Sequence, residues 1–126
     1  MTAPEMGDAV INIRTSTLNN IAFRDVFKTT QYAQYVLMSL RPGEEIGMEI
    51  HPHTDQFIRV EAGKGVLYLG NLGYELDDDT AAVIPAGTRH NVINTSNTDY
   101  LKLYTIYSPP QHPPGTFQLV KQEEIE

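Results

Sequence analysis

Cysteine is absent from the chain, and no apolar run approaches the ~20 residues that cross a bilayer. The first absence excludes disulfides, thiolate metal sites and a cysteine nucleophile. The second excludes a membrane-spanning helix. Basic charge is also scarce, with nine Lys and Arg residues in a chain of formal net charge −7. These nine are scattered from Arg14 to Lys121, so no basic patch is expected and nucleic-acid binding is excluded as a leading function. The opening MTAPEMGDAV has no basic segment followed by an apolar one. No secretory leader is therefore expected, and the cytoplasm is the expected location.

What is present suits one domain over 1–126, a length that buries roughly two-thirds of its unfolded surface in one core. Short β-type runs dominate: YVLMSL (35–40), EIGMEIH (45–51), QFIRV (56–60), GVLYLG (65–70), AAVIP (81–85), HNVIN (90–94) and YLKLYTIY (100–107). Gly, Pro, Asn and Asp punctuate them, as in Arg41-Pro42-Gly43 and Pro85-Ala86-Gly87. An all-β antiparallel sandwich or barrel is expected, with a short N-terminal helix over Leu18 to Phe27. The arm 108–126 begins SPPQHPPGT, whose prolines cannot donate to a ladder, so it should lie outside the barrel. His112 sits in that arm and is expected to be solvated.

The stretch MEIHPHTDQF (48–57) is the densest in metal-ligating groups. Side chains alternate faces along a strand, so Glu49 and His51 share one face, and His53 joins them only if the strand survives Pro52. A hairpin should bring Gln56 back beside them, with Gln56, Ile58 and Val60 on one face. A carboxylate turned inward without a partner is costly, and no Lys or Arg lies near Glu49 in sequence, so a cation is its natural partner. A second stretch, DTAAVIPAGTRHNVIN (79–94), delivers His90 onto a new strand after a Pro-x-Gly turn.

Together these stretches resemble the cupin motifs. The first cupin motif reads G, five residues, H-x-H, three or four residues, E, six residues, G. Here Gly43 is followed by five residues, Glu49-x-His51, four residues, Gln56, six residues and Gly63. The second reads G, five residues, P-x-G, two residues, H, three residues, N, which is met from Asp79 through Pro85, Gly87 and His90 to Asn94. The resemblance covers about residues 35 to 110 and departs from the family at Glu49, Gln56 and Asp79. It implies a double-stranded β-helix, the cupin jelly-roll barrel, similar to sequences labelled mannose-6-phosphate isomerase-like, and a homodimer.

The resemblance also implies a metal site of Glu49, His51, Gln56 and His90, with His53 at the rim. In a rival arrangement His53 itself binds, in place of Glu49 or Gln56. Separately, Gln56 is a candidate to orient a water or a substrate rather than to bind the metal. Two imidazoles with oxygen donors suit one divalent transition metal, Mn, Fe, Co, Ni, Cu or Zn. Tyr104 and Tyr107 have opposite parity, so one of them should face the pocket. The expected function is metal-dependent chemistry on a small oxygenated metabolite (a sugar, a hydroxy or keto acid, or a diketone), Lewis-acid or O2-dependent, with Glu49 as candidate base. The alternative is a small-ligand-binding or sensing module without turnover.

Overall fold

The computed structural model of the chain describes residues 9–121. Within them, helix α1 (Ile13–Asn19) precedes strands β1 (Arg24–Thr29), β2 (Gln34–Leu40), β3 (Asp55–Ala62), β4 (Gly65–Leu69) and β5 (Leu72–Leu76). There follow β6 (Ala81–Ile84), β7 (His90–Asn94), β8 (Leu101–Ser108) and β9 (Phe117–Gln118). Asn12 caps the helix by accepting from the Thr15 amide at 2.9 Å. Asn20 ends it, its side chain bonding both the amide and the carbonyl of Ala22. The helix expected over 18–27 is therefore misplaced. Beyond Asn20 the chain is extended, with Arg24 and Val26 turned inward in β1 against β2.

The strands form two antiparallel sheets, as the jelly roll requires. The larger has the order β6-β3-β8-β2-β1-β9 and the smaller β5-β4-β7. The core lies between them, Met38, Ile58, Val60 and Leu103 from the larger sheet meeting Leu67 and Val92 from the smaller. Truncating a leucine so placed, such as Leu103, costs about 2–5 kcal/mol. No helix among the described residues is long and apolar enough to cross a membrane.

Two expectations about the site segments are corrected. Residues 45–51 do not form a ladder strand. Their backbone pairs with β7 only through the isolated bridges Glu45–Ile93 and Glu49–His90, and Asn91 of β7 adds side-chain bonds to the Gly47 amide and to Glu45. Gly47, at φ +113°, interrupts the extended backbone, and Pro52 and His53 form a turn. Nor does Gln56 return beside this segment. It lies in the other sheet, opposite Tyr107 of β8 on one side and Ile84 of β6 on the other. Residues 52–54 thus carry the chain from one sheet to the other, and the two halves of the first motif face each other across the barrel.

Backbone hydrogen bonds and turns lock the two motifs together. Gly87, at φ +83°, donates its amide to the His51 carbonyl at 2.8 Å, and the Ala86 amide donates to Asp55 Oδ1 at 2.8 Å. The Pro85–Gly87 turn is therefore held by the segment that carries His51. Asp79 stands where the family motif has glycine and adopts a left-handed backbone, φ +69°. Asp is among the few residues that tolerate this region, and its Oδ1 accepts from Arg59 Nη2 at 2.8 Å.

Candidate metal centre

Glu49 and His51 come from the irregular segment beside β7, and His90 from the first position of β7. One ligand atom from each lies within 4.8 Å of the other two, a spacing that a single ion can bridge. Among the described residues this is the one group of three His, Cys, Asp or Glu side chains so arranged. The histidines are buried, with their rings 5.2 Å apart. Glu49 is partly open to solvent, and its Oε1 lies 3.4 Å from His51 Nε2.

The protonation pattern suits a cation. His90 Nδ1 lies 2.8 Å from the Thr88 carbonyl, an acceptor only, so Nδ1 carries the proton and Nε2 presents a lone pair. That Nε2 and His51 Nε2 are buried without a hydrogen-bond partner among the described residues. Burial alone would raise the Glu49 pKa, but His51, Arg24 and His90 outweigh it and hold the carboxyl below its ordinary value. Glu49 is thus ionised at neutral pH, beside two buried imidazole nitrogens that no hydrogen bond satisfies. The donor set fits a divalent transition metal.

Gln56 is buried, 3 % exposed. Its Nε2 donates to Thr105 Oγ1 at 3.0 Å, which fixes the amide so that Oε1 is the free end. Tyr107, its cross-strand partner, turns inward and stands edge-on to His51 at 5.6 Å. Burial and the Glu49 charge push the Tyr107 pKa up, so it stays a neutral hydroxyl. Tyr104 has the opposite parity and packs outside against Phe57, 6.5 Å between rings. His53 is exposed in the Pro52 turn.

Two residues at this centre had no signal in the motif. His112 is not fully solvated but half-buried, folded over the barrel mouth with its ring edge-on to Tyr107 at 5.2 Å. Gln34 holds it there. Gln34 Nε2 donates to the His112 carbonyl, and Gln34 Oε1 accepts from the amides of Gln111 and His112. Burial and Arg24 bring the His112 pKa down to about 4, against Glu49, which raises it. The other residue is Arg24, distant from Glu49 in sequence but close enough in space to act on its charge. Only the inward parity of Arg24 and Val26 could have flagged it, and that parity is visible only once the segment is known to be a strand.

Comparison with known proteins bears on the fold. A family model described as "Cupin domain" matches residues 36–107. The chain is 48 % identical over 122 residues to the uncharacterised protein YrkC of Bacillus subtilis (strain 168), covering 92 % of this chain and 65 % of YrkC. It therefore spans just under two-thirds of that relative's length. It is 52 % identical over 109 residues to protein L612 of Acanthamoeba polyphaga mimivirus, covering 84 % of this chain and 68 % of L612. Among solved structures, BH2720 from Bacillus halodurans superposes with a TM-score of 0.84 at 51 % identity, over 86 % of each chain.

Proposed function

The chain belongs to the cupin family, and on that premise we propose that it binds one divalent transition metal ion and acts on a small oxygenated metabolite. The observation that carries this reading is the pair of orphaned imidazole nitrogens, His51 Nε2 and His90 Nε2, converging on an ionised Glu49. Glu49, His51 and His90 hold the ion, and Gln56 supplies the fourth donor through Oε1. Bound there, the metal would supply Lewis acidity toward an oxygen of the substrate, or oxygen chemistry if it is iron.

The remaining roles fall to the chain's own residues. Glu49 stays ionised because its pKa is held low, and the carboxylate oxygen that does not bind the ion is the candidate proton acceptor. Tyr107, kept neutral, is a hydroxyl donor toward a substrate oxygen. Thr105 fixes the Gln56 amide, and Thr88 fixes the His90 ring. The proline arm, pinned by Gln34, covers the mouth and limits the entry of bulk water. The same reading has the protein working as a cytoplasmic homodimer, supported by the exposed apolar side chains of Ile21, Tyr100, Leu119 and Val120 around one hollow. Sedimentation analysis tests the dimer.

The metal itself is tested directly. Protein purified without an affinity tag should carry close to one transition-metal ion per chain by elemental analysis, on the order of one site per cupin barrel. A full-length, folded chain that takes up no metal on incubation with Mn, Fe, Ni, Co, Cu or Zn would sink the reading.

A further inference from the structure

Arg24 is 9 % exposed, yet among the described residues no carboxylate lies within ion-pair distance of it. Its Nε is buried without a hydrogen-bond partner among those residues. Its Nη1 donates to Gln118 Oε1, and its guanidinium lies over the Phe23 ring at 5.1 Å, so the group is held in one orientation. A buried guanidinium with an idle donor is costly unless an anion completes it. Glu49 is the carboxylate that feels its charge, and in the metal-bound protein one oxygen of that carboxylate goes to the ion.

A cavity of about 730 Å³ joins the two, lined by Arg24 and Glu49 together with Arg41, Glu44, Gln118 and Lys121. Its walls thus carry three basic and two acidic side chains, and they put the fixed Arg24 cation and Glu49 of the metal triad on one cavity.

We propose that Arg24 is the anchor for the carboxylate of the substrate, which makes the substrate a small hydroxy or keto acid rather than a sugar or a diketone. This inference rests on the metal-site reading above and narrows it. One charged ligand leaves a divalent ion with about one positive charge, which attracts oxygen donors in general. Arg24 adds a planar donor fork matched to a carboxylate, and so selects among them. An acid bound this way meets the cavity side of the Arg24 guanidinium with its carboxylate and directs its hydroxyl or keto oxygen toward Glu49.

The test is calorimetric titration of the metal-loaded full chain with lactate and with propane-1,2-diol, which shares lactate's vicinal oxygens but has no carboxylate. Arg24→Gln should bind lactate at least about tenfold more weakly than wild type, with diol affinity and metal content unchanged. Equal lactate affinity in the two proteins would overturn the inference, as would wild type that binds no lactate at about 10 mM. Should Arg24→Gln lose its melting transition, Arg24→Lys replaces it. The lysine keeps the charge and loses the fork, so a several-fold loss is expected and none overturns the proposal. If wild type takes up no metal, the parent reading fails on the metal assay. The same titration of the metal-free chain then decides the Arg24 anchor separately.

Discussion

The two walls of the barrel mouth are built in different ways. One wall, residues 45–51 with the start of β7, carries Glu49, His51 and His90 on backbone that is locally specified. Gly47, Pro52 and the Pro85–Gly87 turn set its course, and the amide of Gly87 ties it to the His51 carbonyl. The other wall is Arg24 on β1, Tyr107 on β8 and His112 on the proline arm, residues brought together only by pairing between distant segments. The first wall presents two imidazoles and a carboxylate, whereas the second presents a guanidinium and a phenol. The division teaches that the motif sets where a metal would go, while the surrounding chain sets what would meet it.

The walls should separate under mutation. The largest effect is expected from the double variant His51→Ala, His90→Ala, which removes both orphaned nitrogens. Its metal affinity should fall by at least about 100-fold in competition with a chelating dye, with the sheet intact by circular dichroism. Full metal retention would dissolve the distinction between the walls. Gln34→Ala acts on the other wall alone. It removes three hydrogen bonds to the arm, so about 1–3 kcal/mol of stability should go, read from denaturant melts. Limited proteolysis should then cut within 109–116 while metal content stays at the wild-type level.

A smaller effect is expected where the first wall is clamped. Asp55→Ala frees the Ala86 amide and loosens the turn before His90. About 1 kcal/mol of stability and a several-fold loss of metal affinity are the expected outcomes, the latter read by the same dye. A variant with unchanged affinity would show that the turn is rigid without its clamp.

The smallest effect is one of pH. His112 has a folded-state pKa of about 4, below the ordinary histidine value of 6.5. The unfolded chain therefore binds the extra proton first, and stability falls as pH drops through 6.5 toward 4. The ring is partly solvated, so screening reduces the effect to about 1 kcal/mol, absent above the unfolded value. The melting temperatures of metal-free wild type and His112→Gln should diverge only in that acid window. Parallel curves would place His112 in water.

Much of the fold was legible because strand signals are local. QFIRV reads as inward Gln56, Ile58 and Val60, and β3 has that pattern. GVLYLG, HNVIN and YLKLYTIY likewise fall on β4, β7 and β8. Edge elements were not legible. β5 shows an almost wholly exposed face pattern with a glycine inside it, and β9 holds only two residues, so neither carries a periodic apolar signal. β1 was mistaken for helix because Leu18 to Phe27 straddles a real helix end and a real strand start. The Asn20 turn that divides them is a side-chain hydrogen-bonding event that no periodicity displays. Of the site, the Glu49–His51 pairing and the place of His90 followed from spacing, because the turns between them have fixed lengths.

By itself the sequence determined an all-β chain with two histidines and a glutamate delivered to one region, since turn residues and side-chain alternation act over a few positions. Tertiary structure alone decided that Gln56 approaches from the opposite sheet, that His112 closes over the mouth, and that a buried arginine stands beside the carboxylate. These depend on which strands pair across long separations, and such pairing is chosen by the packing of the whole core rather than by any neighbouring residue.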